Sequence, residues 1–305
     1  RRADIVLGHD TAGEYEARQD FFGVTVGRFA NRIAKGRFTL DGQTFQLPVN
    51  NGFNTLHGGG NGFDRQVWKV ESVGSGPLAS VVLSLTSPDG DSGYPGEVRT
   101  TVTYSLDDRG SLTIAHTATT TKPTIINMTN HALFNVAGHC AREGAMHQRL
   151  TMPASRYTPV DDTLIPSGEL KPVKGTVFDF TRGRVLADGL RDGNDAQIRI
   201  GRGYDHNWVL NKKDRELSFA AKAVETTSGR LMEVWTTEPG LQFYSGNFLD
   251  GAIKGKGGQD YAYRSGFCLE AQHFPDSPNQ PKFPSTVLKP GQKYTQTTIY
   301  QFSVR

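Results

Sequence analysis

One strand-like segment near the C-terminus places a carboxylate where proton-transfer chemistry could occur. The segment runs from Phe267 to Gln272, and strand alternation puts Glu270 on the face opposite Phe267 and Leu269. A carboxylate in a strand usually lies on a face that is simply exposed to water. Here, however, the segment leads directly into the Pro-rich loop 275–284, and functional residues concentrate on such loops. Glu270 is therefore a candidate functional residue beside a loop-built rim.

Three polar clusters interrupt other strand-like or turn-like segments. They are Asn31 with Arg32, the turn-rich segment 50–59 with His57, and the segment 127–131 that ends in His131. Each has a structural explanation, because Asn and Gly build turns, an Arg is usually solvated and a lone His is commonly a hydrogen-bonded structural residue. Imidazole groups also transfer protons, so the clusters are candidate parts of a binding or catalytic site.

A site with paired carboxylates would need a second acidic residue from elsewhere in the chain. No other acidic residue lies in the strand of Glu270, and Asp205, within residues 203–208, is the candidate partner. Its neighbours Tyr204 and Trp208 offer flat apolar surfaces on which sugar rings stack, although packing in a core explains a Trp at least as often. The sequence leaves both interpretations open.

Several common reaction types lack their motifs in this chain. The sequence contains no HExxH, GxGxxG, Walker P-loop or GxSxG motif. The eight histidines include no pair at the spacing of a helical metal site. The two cysteines, Cys140 and Cys268, rule out a Cys-rich zinc site and a CxxC motif but leave one disulfide bond open. We therefore expect no metal ion and no cofactor.

The elements that must position these residues have the pattern of short strands. Alternating apolar residues recur at 81–85, 98–106, 112–116, 217–221 and 298–302. Turn-forming residues at 107–110 join two of these segments into a predicted hairpin. No stretch shows convincing helical periodicity, and neither a repeat nor a linker marks a domain boundary. The sequence thus predicts an all-β chain that forms one antiparallel domain over residues 1–305.

Composition and charge argue against two classes of partner. The chain of 305 residues has 34 Lys+Arg and 31 Asp+Glu, with a formal net charge of +3. Because the basic residues are scattered, we expect no nucleic-acid partner. The longest apolar stretches, such as 80–85, fall far short of the ~18 residues of a membrane span, so we expect no membrane association.

Taken together and in order, these segments resemble the aldose 1-epimerase (galactose mutarotase) family. The resemblance extends from about residue 4 to the C-terminus. It rests on seven strings in the family's order, namely GRFANRI (27–33), NNGFNTLHGG (50–59), DGDSGYPGE (89–97), NMTNHALFNVAG (127–138), GYDHNWVL (203–210), EPGLQFYSGNF (238–248) and CLEAQHFPDSPNQPKFPSTVLKPG (268–291). It implies a large antiparallel β-supersandwich, like that of galactose mutarotase, and an enzyme that interconverts the α and β anomers of free aldoses such as glucose or galactose.

The resemblance also implies roles for individual residues. Glu270 matches the family's general base, and His131 matches its general acid. Further residues match positions that hold the sugar's hydroxyls or assist at its ring oxygen: Asn31, Arg32, His57, Asp205 and Gln242. The chemistry fits these residue types, since opening a pyranose takes one proton from the C1 hydroxyl and delivers one to the ring oxygen. No metal, nucleotide or covalent nucleophile is required.

The ordinary pKa values of these groups set an expectation for the site. A Glu at ~4.3 is ionised near pH 7, whereas a His at ~6.5 is mostly neutral. His131 would therefore serve better as an acid if a nearby carboxylate favoured its charged form.

Two departures from the family's pattern concern specificity and the start of the chain. Family members commonly have an aromatic residue two positions after the catalytic His, where this chain has Leu133, so we expect a change in substrate preference more than in catalysis. Relatives usually have a few strands before the segment matching residues 4–7, and we expect a short N-terminal segment to be missing. Localisation stays open between the cytoplasm and, if a signal peptide has been removed, the periplasm or exterior.

Other functions on this sequence remain as alternatives. A catalytically silent sugar-binding protein is conceivable because of Leu133, although Glu270 and His131 argue against it. A hexose-6-phosphate 1-epimerase should need several Arg at the site, whereas Arg32 is the only one among the matched sugar contacts. A glycoside hydrolase would use Asp205 with Glu270. We expect a small monosaccharide as substrate and a monomer or weak dimer.

Overall fold

Strands dominate the computed structural model, which describes residues 3–141, 144–191 and 193–305. The helices are α1 (Ala12–Ala17), α2 (Leu186–Leu190) and α3 (Ala196–Gly201), with single 3-10 turns at Ala34–Gly36, Phe63–Arg65, Asp91–Gly93, Lys256–Gly258 and Ser277–Asn279. The strands are β1 (Thr25–Val26), β2 (Arg32–Ile33), β3 (Arg37–Leu40), β4 (Gln43–Gln46), β5 (Thr55–Leu56), β6 (Lys69–Gly74), β7 (Leu78–Ser87), β8 (Val98–Asp107), β9 (Ser111–Thr120), β10 (Thr124–Ile125), β11 (Thr129–Asn130), β12 (Leu133–Phe134), β13 (Arg149–Thr151), β14 (Ala154–Thr158), β15 (Lys171–Pro172), β16 (Arg184–Val185), β17 (Asp205–Leu210), β18 (Ser218–Val224), β19 (Arg230–Thr236), β20 (Gly240–Tyr244), β21 (Phe267–Gln272), β22 (Val287–Leu288) and β23 (Tyr294–Val304). Among the described residues, no helix has the length and apolar character needed to cross a membrane.

Two large sheets form the architecture. One has nine strands in the order β16-β13-β18-β19-β23-β9-β8-β7-β6, and the other has six in the order β12-β21-β20-β17-β14-β15. Smaller two-stranded ribbons pair β1 with β11, β2 with β5, β3 with β4, and β10 with β22. Neighbouring strands in both large sheets run antiparallel, which confirms the predicted all-β, antiparallel class.

The hairpin predicted from the apolar alternation is confirmed as β8 and β9. The two strands pair along their length, and Asp107 closes the turn by accepting hydrogen bonds from the backbone N–H groups of Arg109 (3.0 Å) and Ser111 (2.8 Å). Gly110 has a φ of +78°, a left-handed conformation that favours glycine. The other predicted segments overlap β7, β18 and β23.

One apolar core takes buried side chains from both large sheets. Two side chains of β23 also cross between the sheets: the Tyr300 hydroxyl donates to the carbonyl of Leu269 (3.0 Å), and Gln296 Nε2 donates to the carbonyl of Ala271 (2.8 Å). Both acceptors belong to β21, the strand that contains Glu270. The nine-stranded sheet therefore holds this strand in place through directional bonds as well as packing.

The strand β21 is buried on both of its faces. All six of its residues are buried, with Phe267 and Leu269 in the core and Cys268 and Glu270 on the opposite face. Glu270 is only 2% exposed, so its carboxylate does not lie on a solvated sheet face.

The aromatic residues beside Asp205 lie in the core. Trp208 and Tyr204 are fully buried there. Trp208 Nε1 donates to the carbonyl of Phe178 (3.0 Å), and the Tyr204 hydroxyl donates to the carbonyl of Val177 (2.8 Å). The interpretation of these two rings as sugar-stacking surfaces is therefore wrong.

Candidate active site

A cavity of about 290 Å³ opens on the face of the six-stranded sheet that points away from the core. The residues of the predicted site that line it are Asn31, Arg32, His57, His131, Asp205 and Glu270. They come from chain positions far apart, and the fold brings them together at one place. Gln242 is buried beside this group but does not line the cavity.

Three neighbouring strands supply Asp205, Gln242 and Glu270. Asp205 begins β17, Gln242 lies in the middle of β20, and Gln242 is the cross-strand partner of Glu270 in β21. Because alternate residues of a strand share one face, all three point away from the core. Gln242 Nε2 donates to Asp205 Oδ1 at 2.7 Å. Gln242 thus holds the Asp205 carboxylate in position through this hydrogen bond, without lining the cavity itself.

His131 reaches the cavity from the short ribbon formed by β1 and β11. Its backbone N–H donates to the carbonyl of Val24 (3.0 Å), and its carbonyl accepts from the N–H of Gly23 (3.0 Å). These bonds place the imidazole opposite β21, with Nε2 at 3.7 Å from Glu270 Oε1. The two residues predicted to exchange protons with the substrate therefore face each other across a short gap.

The ribbon formed by β2 and β5 brings the remaining polar residues. Arg32 donates through Nε to Asn51 Oδ1 (3.0 Å), and its Nη1 lies 3.8 Å from Asp205 Oδ2. The backbone N–H of Asn31 donates to His57 Nδ1 at 3.2 Å. Asn31 and His57 have φ values of +64° and +52°, and such left-handed conformations of residues other than glycine cluster at functional sites.

Burial governs the protonation of the facing pair. It raises the pKa of Glu270 well above its ordinary value, and the charge of Asp205 adds to this while Arg32 opposes it. Burial also lowers the pKa of His131 to about 4. The carboxylate expected near His131 is present, but desolvation outweighs it, so the ring is neutral near pH 7. Glu270 becomes a stronger base than an ordinary Glu.

Comparison with known proteins decides the family. A model of the aldose 1-epimerase family matches residues 1–301. The galactose mutarotase of Rattus norvegicus is 46% identical over 304 residues, which cover 100% of this chain and 85% of the relative. The aldose 1-epimerase of Escherichia coli (strain K12) is 39% identical over 302 residues, covering 98% of this chain and 85% of the relative. The chain belongs to the aldose 1-epimerase family.

Solved structures agree with this aldose 1-epimerase assignment. The GalM/aldose epimerase homologue from C. elegans superposes with a TM-score of 0.88 at 34% identity, covering 98% of this chain and 88% of that one. Galactose 1-epimerase from Lactobacillus acidophilus NCFM gives 0.86 at 30% identity, covering 99% and 86%. The predicted galactose mutarotase-like fold and the predicted epimerase activity are confirmed.

Three side chains of this epimerase could in principle hold a metal ion. His57, His131 and Glu270 each offer a donor atom, and these atoms all lie within 4.8 Å of one another. The protonation of His57 does not fit such a site. Its Nδ1 accepts the N–H of Asn31, and burial, together with the nearby charge of Arg32, lowers its pKa, so the neutral ring carries its proton on Nε2. Neither ring nitrogen of His57 then has a free lone pair for a metal ion.

An aromatic wall completes the epimerase cavity and was missed by the sequence reasoning. Phe21 lies 5.0 Å from the His57 ring and 5.8 Å from the His131 ring. Tyr244 stacks on the half-exposed Phe248 at 6.0 Å, and both line the cavity. Alternation from Gln242 would have found Tyr244, whereas nothing in the local sequence marks Phe21. Leu133, the departure from the family's aromatic residue, also lines the cavity.

Proposed function

We propose that this enzyme interconverts the α and β anomers of a free aldose in the cavity, with Glu270 as general base and His131 as general acid. The observation that carries the proposal is the separation of 3.7 Å between His131 Nε2 and Glu270 Oε1 inside a buried cavity. A base and an acid this close can act on two neighbouring oxygen atoms of one sugar ring. In a pyranose those atoms are the C1 hydroxyl oxygen and the ring oxygen.

The proton transfers balance over one catalytic cycle. Glu270 takes the proton of the C1 hydroxyl while His131 Nε2–H gives its proton to the ring oxygen, and the bond between C1 and the ring oxygen breaks as the C1 carbonyl forms. Rotation about the C1–C2 bond presents the other face of the aldehyde. Ring closure runs the same transfers in reverse, so both residues return to their starting states. Each positioned group contributes about 10²- to 10⁴-fold.

The other residues of the predicted site bind and orient the sugar in this proposal. Arg32 and Asp205 offer charged hydrogen-bonding groups, which form stronger bonds to hydroxyls than neutral groups do. His57 presents its Nε2–H to the cavity, and Asn31 supports it from the backbone. Gln242 acts through Asp205, because its amide bonds to that carboxylate and does not line the cavity.

Charge in the cavity favours an unphosphorylated sugar. Among the described lining residues, Arg32 is the only Arg or Lys, while Asp20, Asp205 and Glu270 are acidic. A sugar phosphate would meet more negative than positive charge here. A glycosidase role for Asp205 is also disfavoured, because Gln242 and Arg32 already engage its two oxygens. The names of the mammalian relatives make galactose the first substrate to test.

Polarimetry tests the proposal. Fresh α-D-galactose, α-D-glucose, xylose and arabinose should each be followed with and without enzyme, and at least one should reach anomeric equilibrium faster with it. We expect no competition by hexose 6-phosphates and no release of reducing sugar from glycosides. A rate equal to that of buffer for every aldose would instead identify a silent sugar-binding protein.

The single domain and the monomeric or weakly dimeric state stay predictions. Calorimetry can test the first, and sedimentation can test the second.

A further inference from the structure

A buried thiol lies directly behind the imidazole of His131. Cys268 is fully buried on the cavity face of β21, two residues before Glu270. Its Sγ lies 3.6 Å from His131 Nδ1, within hydrogen-bonding distance for sulfur. The backbone holds this contact in register, because Cys268 pairs across the sheet with Leu133, two residues after His131.

Both members of this contact are neutral, so the position of each proton matters. Burial and the charges of Glu270 and Asp205 raise the pKa of the Cys268 thiol well above its ordinary value, and the thiol therefore keeps its proton. The neutral imidazole of His131 carries a single proton, on either Nδ1 or Nε2. Of these two nitrogens, Nδ1 faces the thiol and Nε2 faces Glu270.

We propose that Cys268 is a positioning residue whose thiol donates to His131 Nδ1 and so keeps the ring proton on Nε2, the nitrogen that faces the substrate. This inference rests on His131 being the acid of the proposed function. With the proton on Nδ1 instead, Nε2 would be an acceptor and could give nothing to the ring oxygen. The hydrogen bond between the thiol and Nδ1 thus selects the tautomer that can act as an acid.

The same hydrogen bond favours the transition state over the ground state. As the proton leaves Nε2, negative charge develops on the imidazole ring, and a donor at Nδ1 interacts more strongly with a more negative acceptor. Interactions that strengthen only in the transition state raise kcat without lowering KM. Loss of the hydrogen-bond donor of the thiol should therefore lower kcat.

A second set of groups competes for the ring proton. The backbone carbonyls of Phe21 and of His131 itself lie close enough to the imidazole to favour a protonated nitrogen. If one of them accepted a bond from Nδ1–H, the thiol would be an acceptor and the inference would fail. The two arrangements differ in a quantity that can be measured without any turnover.

NMR of the full chain labelled with ¹⁵N-histidine measures the tautomer. The His131 signals are assigned by their absence in His131→Asn. Near pH 7 we expect Nε2 to have the shift of a protonated nitrogen and Nδ1 that of an unprotonated one. Protonation at Nδ1 would overturn the inference. Because this readout needs no catalysis, it is independent of the proposed function, which fails separately if His131→Asn retains activity.

Two substitutions connect the tautomer to the rate. Cys268→Ala removes the donor, and we expect kcat to fall roughly three- to tenfold, as loss of one neutral hydrogen bond implies, with KM unchanged. Cys268→Ser retains an O–H donor and should keep kcat within about twofold and the wild-type ¹⁵N pattern. Cys140→Ser, at the exposed free cysteine, is the matched control and should change neither. An equal loss of kcat in both Cys268 variants with the wild-type tautomer would show a packing role and contradict the proposal.

Discussion

Glu270→Gln should remove nearly all activity and at the same time stabilise the fold. The amide keeps the shape of the side chain but cannot take a proton, so kcat should fall about 10²- to 10⁴-fold, which is roughly 3–5 kcal/mol of barrier. The other two described carboxylates that line the cavity already have partners: Gln242 and Arg32 engage Asp205, and His9 and Arg18 engage Asp20.

The gain in stability follows from the raised pKa of Glu270. As pH rises, the unfolded chain loses this proton first, so stability falls between the unfolded and the folded pKa and stays lower above both. The loss of stability is about 1.4 kcal/mol for each unit by which the pKa is raised. For a chain of this size, each kcal/mol corresponds to roughly 2 °C in Tm. Glutamine does not ionise, and the variant should have the higher Tm at pH 8 but no advantage near pH 4.

Thermal unfolding at both pH values, with polarimetry on the same samples, checks this combination. Glu238→Gln is the matched control, because Glu238 is equally buried but lies outside the cavity and bonds His273 Nδ1 at 2.6 Å. It should lose stability and keep its kcat. A Tm at pH 8 below that of wild type in Glu270→Gln would refute the reasoning from burial, and near-native turnover would refute the role of base.

Three further outcomes are expected. His131→Asn should lower kcat about 10²- to 10⁴-fold with an unchanged circular dichroism spectrum, and near-native turnover would remove His131 from the mechanism. Arg32→Ala should chiefly raise KM, since in the proposed mechanism Arg32 binds the ground and transition states alike, and an unchanged KM in initial-rate polarimetry would contradict that role. The rate kcat/KM should rise with pH through the raised pKa of Glu270, as the base becomes ionised. A midpoint near ~4.3, the ordinary value for Glu, would show that burial does not perturb this group.

The fold class was predictable because it depends on local patterns. Strand alternation and the Asp107 turn are encoded within a few residues, and the structure confirms the hairpin of β8 and β9. The site residues were found through ordered motifs, and the structure brings six of them to one cavity. Their roles stay predictions until the variants are measured.

What the sequence could not predict depends on contacts between distant segments. Because both faces of β21 are buried, the pKa of Glu270 is raised, and no local sequence pattern encodes that environment. Trp208 looked suitable for sugar stacking because a buried and a ligand-facing aromatic residue have the same sequence signature. Phe21 lies beside the rings of His57 and His131 because of where the fold places its loop, and local sequence patterns do not indicate that position.

Exchange NMR at anomeric equilibrium tests the central claim most directly, because it observes interconversion with no net change in composition. With wild-type enzyme and D-galactose, the α and β H1 signals should exchange faster than in buffer. Methyl α-D-galactoside, which cannot open its ring by this route, should show no exchange. The enhancement should disappear in Glu270→Gln. Exchange at the buffer rate with wild type, or at the wild-type rate with Glu270→Gln, would contradict ring opening by this base.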